Sequence, residues 1–177
     1  MDRGAFIHTY SGKKFYALDP KSEDIDLSDI AHALSNLCRF GGHSPVFYSV
    51  AEHSVLVSEA VPVKDALWGL LHDASEAYLC DIPRPFKPYL SNYKELEERI
   101  QRTIGNAFGL SWPIPESVHF IDRNIVAAEA NCLWGYKVDW TKDYIEIPNV
   151  NLVLKTPEEA EWDFLCAFKR IKAELAA

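Results

Sequence analysis

From Leu27 onward apolar residues recur at three- and four-residue steps, and this helical period restricts the fold more than any other feature of the sequence. Leu27, Ile30, Ala31, Leu34, Leu37 and Cys38 mark a first helix, with Asp26 or Ser28 able to cap its start. Arg39-Phe40-Gly41-Gly42-His43 then breaks the pattern. A second helix is expected from about Ser49 to Ala60, and a third from about Val63 to Leu79, where Trp68, Leu70 and Leu71 supply apolar faces. Three prolines between Asp81 and Pro88 remove donors and force their predecessors into extended geometry, so this segment is a stiff loop. Leu96, Ile100, Ile104 and Phe108 mark a helix opened by Ser91 or Asn92 and closed near Gly109. Another runs from about Glu116 to Leu133, with Pro115 suited to its first turn and Gly135 to its stop. Residues 136–155 are mixed, with one short strand. Thr156, Pro157 and Glu159 make a capping box ahead of Phe164, Leu165, Phe168 and Ile171 in the last helix. At the other end, Phe6 to Tyr10 and Phe15 to Leu18 read as short strands around a Ser11-Gly12-Lys13-Lys14 turn. The expectation is an all-α bundle of about six helices with a small N-terminal β-hairpin over residues 1–20, in a single domain spanning 1–177.

Composition narrows the function classes. With 177 residues and 48% of them hydrophobic, the chain can bury a core without staples. Lys and Arg number 18 against 26 Asp and Glu, a formal charge of -8, which argues against a basic surface for a nucleic-acid polymer. Cys38, Cys80, Cys132 and Cys166 are widely spaced without a CxxC pair and fall in apolar helical patterns, where buried free thiols are expected and no disulfide framework is. The start, MDRGAFIHTYSGKKF, has no apolar leader, and no uncharged stretch reaches the length of a membrane span, so a soluble cytoplasmic protein is expected.

The chemistry concentrates in Ser49-Val50-Ala51-Glu52-His53-Ser54 and Leu71-His72-Asp73-Ala74-Ser75-Glu76. Adjacent residues on a helix point about 100° apart, close enough for His72 and Asp73 to offer one metal ion an imidazole nitrogen and a carboxylate oxygen. His53 lies nine residues before Pro62 and His72 ten after it, so two antiparallel helices joined there bring these groups to one level. Asp122, an acid within the apolar stripe Phe120-Ile121-Asp122-Arg123, is the best remaining fourth ligand. Buried carboxylates are costly unless paired or metal-bound, so acids flanked by Leu, Ala and Trp call for a cation. Glu76 follows His72 by one turn, and Glu129, seven residues after Asp122, shares its helix face, where it would either orient a ligand or cap a neighbouring loop. His43 sits on the glycine-rich break and is expected to contact phosphate or a leaving group; Tyr48 and Ser75 read as supports, and the five tryptophans as core or interface.

The order His53, His72-Asp73, Asp122 resembles the H...HD...D signature of HD-domain metal-dependent phosphohydrolases. SVAEHS, LLHDASEAYLCDIPRPFK and DIAHALSNLCRFGGH are similar to the 5'-deoxynucleotidase branch, of YfbR-like and YfdR-like type, and to the phage dATP triphosphohydrolases related to it. The resemblance covers nearly the whole chain and is most specific between Asp26 and Lys87. It implies an HD-domain helical bundle with His53, His72, Asp73 and Asp122 as ligands of one divalent ion, whether Zn, Co, Mn, Ni or Fe. It makes Glu76 the acid that orients or deprotonates the attacking water, Asp81 the acid of the family's proline-rich loop and Arg39 its phosphate-side arginine. By their own chemistry Asp81 either assists the leaving oxygen or holds a ribose hydroxyl, or caps the loop, and Arg39 with Lys87 are the phosphate clamps. Cys80 stands where the family's loop has glycine, and Phe40 where relatives often carry a tryptophan against the sugar's 2' position. The activity implied is hydrolysis of a small-molecule deoxynucleotide, a 5'-monophosphate first and a triphosphate as the alternative, by a homo-oligomer, dimer or hexamer. A helical interaction module on a degenerate HD scaffold is the non-enzymatic alternative, and it predicts missing ligand positions.

Overall fold

The computed structural model describes residues 3–177. Its centre is helix α2, Val50–Ala60, buried along almost its whole length. A helix covered on every side must take its neighbours from several directions. α2 packs against α1 (Leu27–Asn36), α3 (Ala66–Leu71), α6 (Glu116–Trp134) and α7 (Pro157–Glu174). Leu34, Val57, Leu70, Leu71, Ile125, Phe164 and Ile171 fill the space between them. α2 and α3 are the antiparallel pair expected around Pro62, and they approach closely: a Cβ on Gly69 would lie 2.9 Å from the Ser58 Cα.

The remaining helices are α4 (Glu76–Leu79) and α5 (Tyr93–Phe108), and with α3 and α4 taken as one interrupted helix the described residues form six. The hairpin is shorter than expected, pairing β1 (Ile7–His8) with β2 (Lys14–Phe15) in the register Ile7 to Phe15. It is more than an appendage. Phe15 is fully buried and stacks on Tyr78, and the Asp29 carboxylate accepts from the Ser11 N–H at 2.6 Å and the Ser11 hydroxyl at 2.9 Å.

Helix ends follow the local chemistry. Asp26, not Ser28, caps α1, and Gly109 and Gly135 close α5 and α6 in the left-handed region. The Thr156 hydroxyl accepts from the Glu159 N–H while the Glu159 carboxylate accepts from the Thr156 N–H, the reciprocal box expected there. Three expectations are corrected. Residues 136–155 contain a 3-10 turn, Asp139–Asp143, and no strand, because Thr141 and Asn131 side chains take the backbone groups a ladder would have used. The 81–88 loop ends in a 3-10 turn at Lys87–Tyr89. Cys80, Cys132 and Cys166 are exposed and only Cys38 is partly covered, since these positions fall beside the packed helix stripes and not on them. No helix among the described residues is long and apolar enough to cross a membrane.

Asp26 also accepts from Lys13 Nζ at 2.8 Å, tying the hairpin to the start of α1. Its bonds from Lys13 and Ser28 hold the carboxyl down from 3.8 to about 2. Its stabilising contribution is therefore complete above the unfolded value and is lost as pH falls toward the folded one. Asp26→Ala should cost about 1 kcal/mol at neutral pH. The melting-temperature gap to the wild type should close as pH drops from 3.8 to about 2, measured by thermal melts across that range.

Candidate metal centre

The close α2–α3 crossing brings His53 and His72 together, with Nε2 atoms 3.2 Å apart. Asp73 Oδ2 lies 3.2 Å from His72 Nε2 and 3.6 Å from His53 Nε2, and Asp122 Oδ1, from the first half of α6, lies 3.7 and 3.4 Å from the same two atoms. All four donor atoms fall within 4.8 Å of one another. The 3.2–3.7 Å separations around the two Nε2 atoms are those of ligands arranged about 2.0–2.2 Å from a common centre.

The outer hydrogen bonds decide what these atoms offer. His53 Nδ1–H donates to Glu129 Oε1 at 2.6 Å, and His72 Nδ1–H donates to the Gly69 carbonyl at 2.8 Å. With Nδ1 of each ring committed to an acceptor, each Nε2 of the neutral rings presents a lone pair to the same point. Two lone pairs and two carboxylates facing one another require positive charge between them. Where no cation lies there, protons take its role: burial opposes charge on His72, but Asp73 and Asp122 outweigh it and hold the imidazole well above its usual range. Burial likewise opposes ionisation of Asp73 and Asp122, yet the imidazoles hold Asp73 at about 2 and Asp122 well below the ordinary carboxylate range. The donor set fits a divalent ion.

Glu129, whose role was open between two possibilities, holds the His53 ring. It is fully buried and accepts from His53, from the Tyr48 hydroxyl at 2.7 Å and from Arg39 Nη2 at 3.1 Å. Tyr48 is a support, as expected. Arg84, unremarked in the sequence, is 67% exposed and donates to the outer oxygen of Asp122 at 3.2 Å. Glu52, next to His53, accepts from the N–H groups of Val153, Leu154 and Lys155 at 2.9–3.0 Å and ties residues 153–155 to the ligand-bearing helix.

A cavity of about 550 Å³ opens beside the centre and is lined by Arg39, Asp73, Glu76, Asp81, Lys87 and Asp122, together with Phe40, Trp140 and Tyr144. Glu76 is 4% exposed, its Oε2 has no hydrogen-bond partner, and its Oε1 lies 3.8 Å from Lys87 Nζ. Burial, then the charges of Asp73 and Asp81, push its carboxyl well above the ordinary range. Burial also raises Asp81. Arg39 is held by Glu129 and lies 3.8 Å from Asp73, with Nε buried and unpartnered. Lys87 is shared between Glu97 at 2.7 Å and Glu76. His43 is not brought to the centre; it is exposed at the end of the 3-10 turn Phe40–Gly42 and lines none of the cavities at the cluster. Two of the tryptophans lie outside the core, Trp162 at 68% and Trp140 at 45% exposed, and Trp140 is on the cavity wall.

His72 and Asp73 do not sit on one continuous helix as expected. α3 stops at Leu71, α4 resumes at Glu76, and between them the backbone bonds tighten to three-residue spacing, Ala74 N to Leu71 O and Glu76 N to Asp73 O. Residues three apart eclipse in such a turn. Glu76 therefore shares a cavity wall with Asp73, while His72 lines a second cavity together with Asp73. At the far end of α4, Cys80 adopts φ 65° and ψ 160°, a conformation suited to glycine. Cys80→Gly should relieve about 1 kcal/mol of strain and raise the melting temperature by about 2–4 °C. Glu129→Gln should weaken Mn(II) binding by about 10–100-fold in calorimetric titration while leaving the helical circular dichroism in place.

No family model matches the chain. It is 46% identical over 125 residues to the uncharacterized protein YfdR of Escherichia coli strain K12, an alignment covering 71% of this chain and 70% of that protein. It is 39% identical over 135 residues to an uncharacterized protein of Rhodobacter capsulatus, covering 71% and 67%. With identity of this extent over most of both proteins, the chain belongs to the YfdR family.

Proposed function

We propose that this protein is an HD-type metal-dependent phosphohydrolase acting on small deoxynucleotides in the cytoplasm, with deoxynucleoside 5'-monophosphates as first substrate. The observation that carries the proposal is the convergence of two imidazole lone pairs and two carboxylates beside a cavity that holds both cations and aromatic rings. An anionic head suits the end near Arg39 and Lys87, and a planar base suits Trp140 and Tyr144. The interaction-module alternative predicts gaps in the ligand set, and none of the four positions is missing. Homo-oligomerisation stands on the resemblance alone.

A divalent ion held by His53, His72, Asp73 and Asp122 would polarise the phosphate and acidify a water. Arg39 and Lys87 bind the phosphate oxygens and offset the charge that builds in the transition state. Glu76, with a free buried oxygen and raised proton affinity, accepts a proton from the attacking water as its oxygen bonds to phosphorus. The ester P–O bond breaks, and the proton that Glu76 took from the water passes through Asp81, whose proton affinity burial raises, to the leaving 5' oxygen. The products are a nucleoside and inorganic phosphate.

Arg84 at the cavity mouth favours a second reading, triphosphate release from dATP, because it adds a third cation to those a monophosphate needs. Incubation with dAMP and with dATP in the presence of Mn, Co or Zn, with the released anion identified, separates the two. Turnover of either is expected to be lost in Asp73→Ala and to fall by about 10²–10⁴ in Glu76→Gln. Failure of the metal-loaded protein to release phosphate or triphosphate from a nucleotide panel would overturn the proposal.

A further inference from the structure

The interruption between α3 and α4 has an identifiable cause. In a regular helix the Ser75 N–H would donate to the Leu71 carbonyl. Here the Ser75 N–H donates to Gln101 Oε1 at 3.0 Å, and Gln101 Nε2 donates to the Leu71 carbonyl at 2.5 Å. One primary amide from the middle of α5 thus stands between the two halves of a missing helical bond, as acceptor for the Ser75 N–H and as a second donor, beside the Ala74 N–H, to the Leu71 carbonyl. Gln101 is 3% exposed, so water does not compete for either contact. The two backbone groups it separates bracket His72 and Asp73. A side chain inserted into the ladder is a recognised way to break a helix, and in a buried segment the break persists only while the freed Ser75 N–H keeps an acceptor.

We infer that Gln101 is a positioning residue for the metal centre: by holding Leu71 and Ser75 apart it sets the tightened turn that directs His72 Nε2 and Asp73 Oδ2 to one point and brings Glu76 over Asp73. The inference rests on the metal-centre reading above. Gln101 makes its two amide bonds to main chain, so its effect on the ligands passes through the turn. Without the amide the Ser75 N–H loses its acceptor, the Leu71 carbonyl is the helical replacement, and re-forming that bond in place of the Ala74 N–H contact restores ordinary helical pitch. His72 and Asp73 would then rotate away from His53 and Asp122.

The test compares Mn(II) binding, read by calorimetry, in wild type, Gln101→Leu and Gln101→Glu, with circular dichroism melts of the ion-free proteins alongside. Gln101→Leu keeps the side chain's bulk and loses both bonds; its Kd is expected to rise about 10–100-fold. Gln101→Glu keeps an acceptor for the Ser75 N–H, and a smaller rise is expected; it carries the test if the Leu variant does not fold. A lowered melting temperature with wild-type Kd in a folded variant would make Gln101 merely structural and overturn the inference alone. Absence of Mn, Co or Zn binding by the wild type would overturn the metal-centre reading, and this inference with it.

Discussion

The burial of α2 is the constraint on which the rest of the structure depends. A helix at the middle of a bundle is ordinarily apolar, yet this one carries Glu52 and His53 into the interior. Each must find a partner from another element, since an unmatched buried polar group costs on the order of 1–3 kcal/mol or more. Glu52 finds the backbone of residues 153–155, and His53 finds Glu129 from α6. Those demands settle which segments surround α2, and they do so on the same turn that carries a ligand for the candidate ion. Stability of the bundle and orientation of the site are therefore aspects of one network.

That network also bears on the acidic balance of the chain. A formal charge of -8 speaks against a basic surface, and the cations near the centre are not free surface charges. Arg39 is committed to Glu129, Lys87 to Glu97, and Arg84 to Asp122. Each is held in place by an acid, which limits its side-chain freedom before any ligand arrives. Around the centre itself the acids exceed what the cations offset, so a divalent ion complements the local field and would make it attractive to phosphate.

Much of the fold was legible because it is written in local patterns. The 3.6-residue period located the helices, Gly109 and Gly135 their ends, and the Thr156 box the start of the last one. The matched spacing of His53 and His72 about Pro62 led to the observed pairing because the chain is helical on both sides of the turn as far as the site. What misled was the assumption that an uninterrupted helical pattern means an uninterrupted helix. Gln101 lies 26 residues beyond Ser75, and nothing in residues 66–79 announces that its amide will enter their ladder. His43 misled in a different way, since a glycine-rich break permits close backbone approach without requiring its neighbour to face the site.

The sequence by itself determined the helical class, most helix limits and the four side chains that converge, because periodicity, capping and short-range spacing are properties of contiguous residues. Only the tertiary structure decided how those side chains are held: Glu129 behind His53, Arg84 behind Asp122, Glu52 on the 153–155 backbone, and Gln101 within the α3–α4 break. These partners are each distant in the chain from the groups they hold. A hydrogen bond between remote residues has no period and no motif, so it comes into view only when the packing that creates it is known.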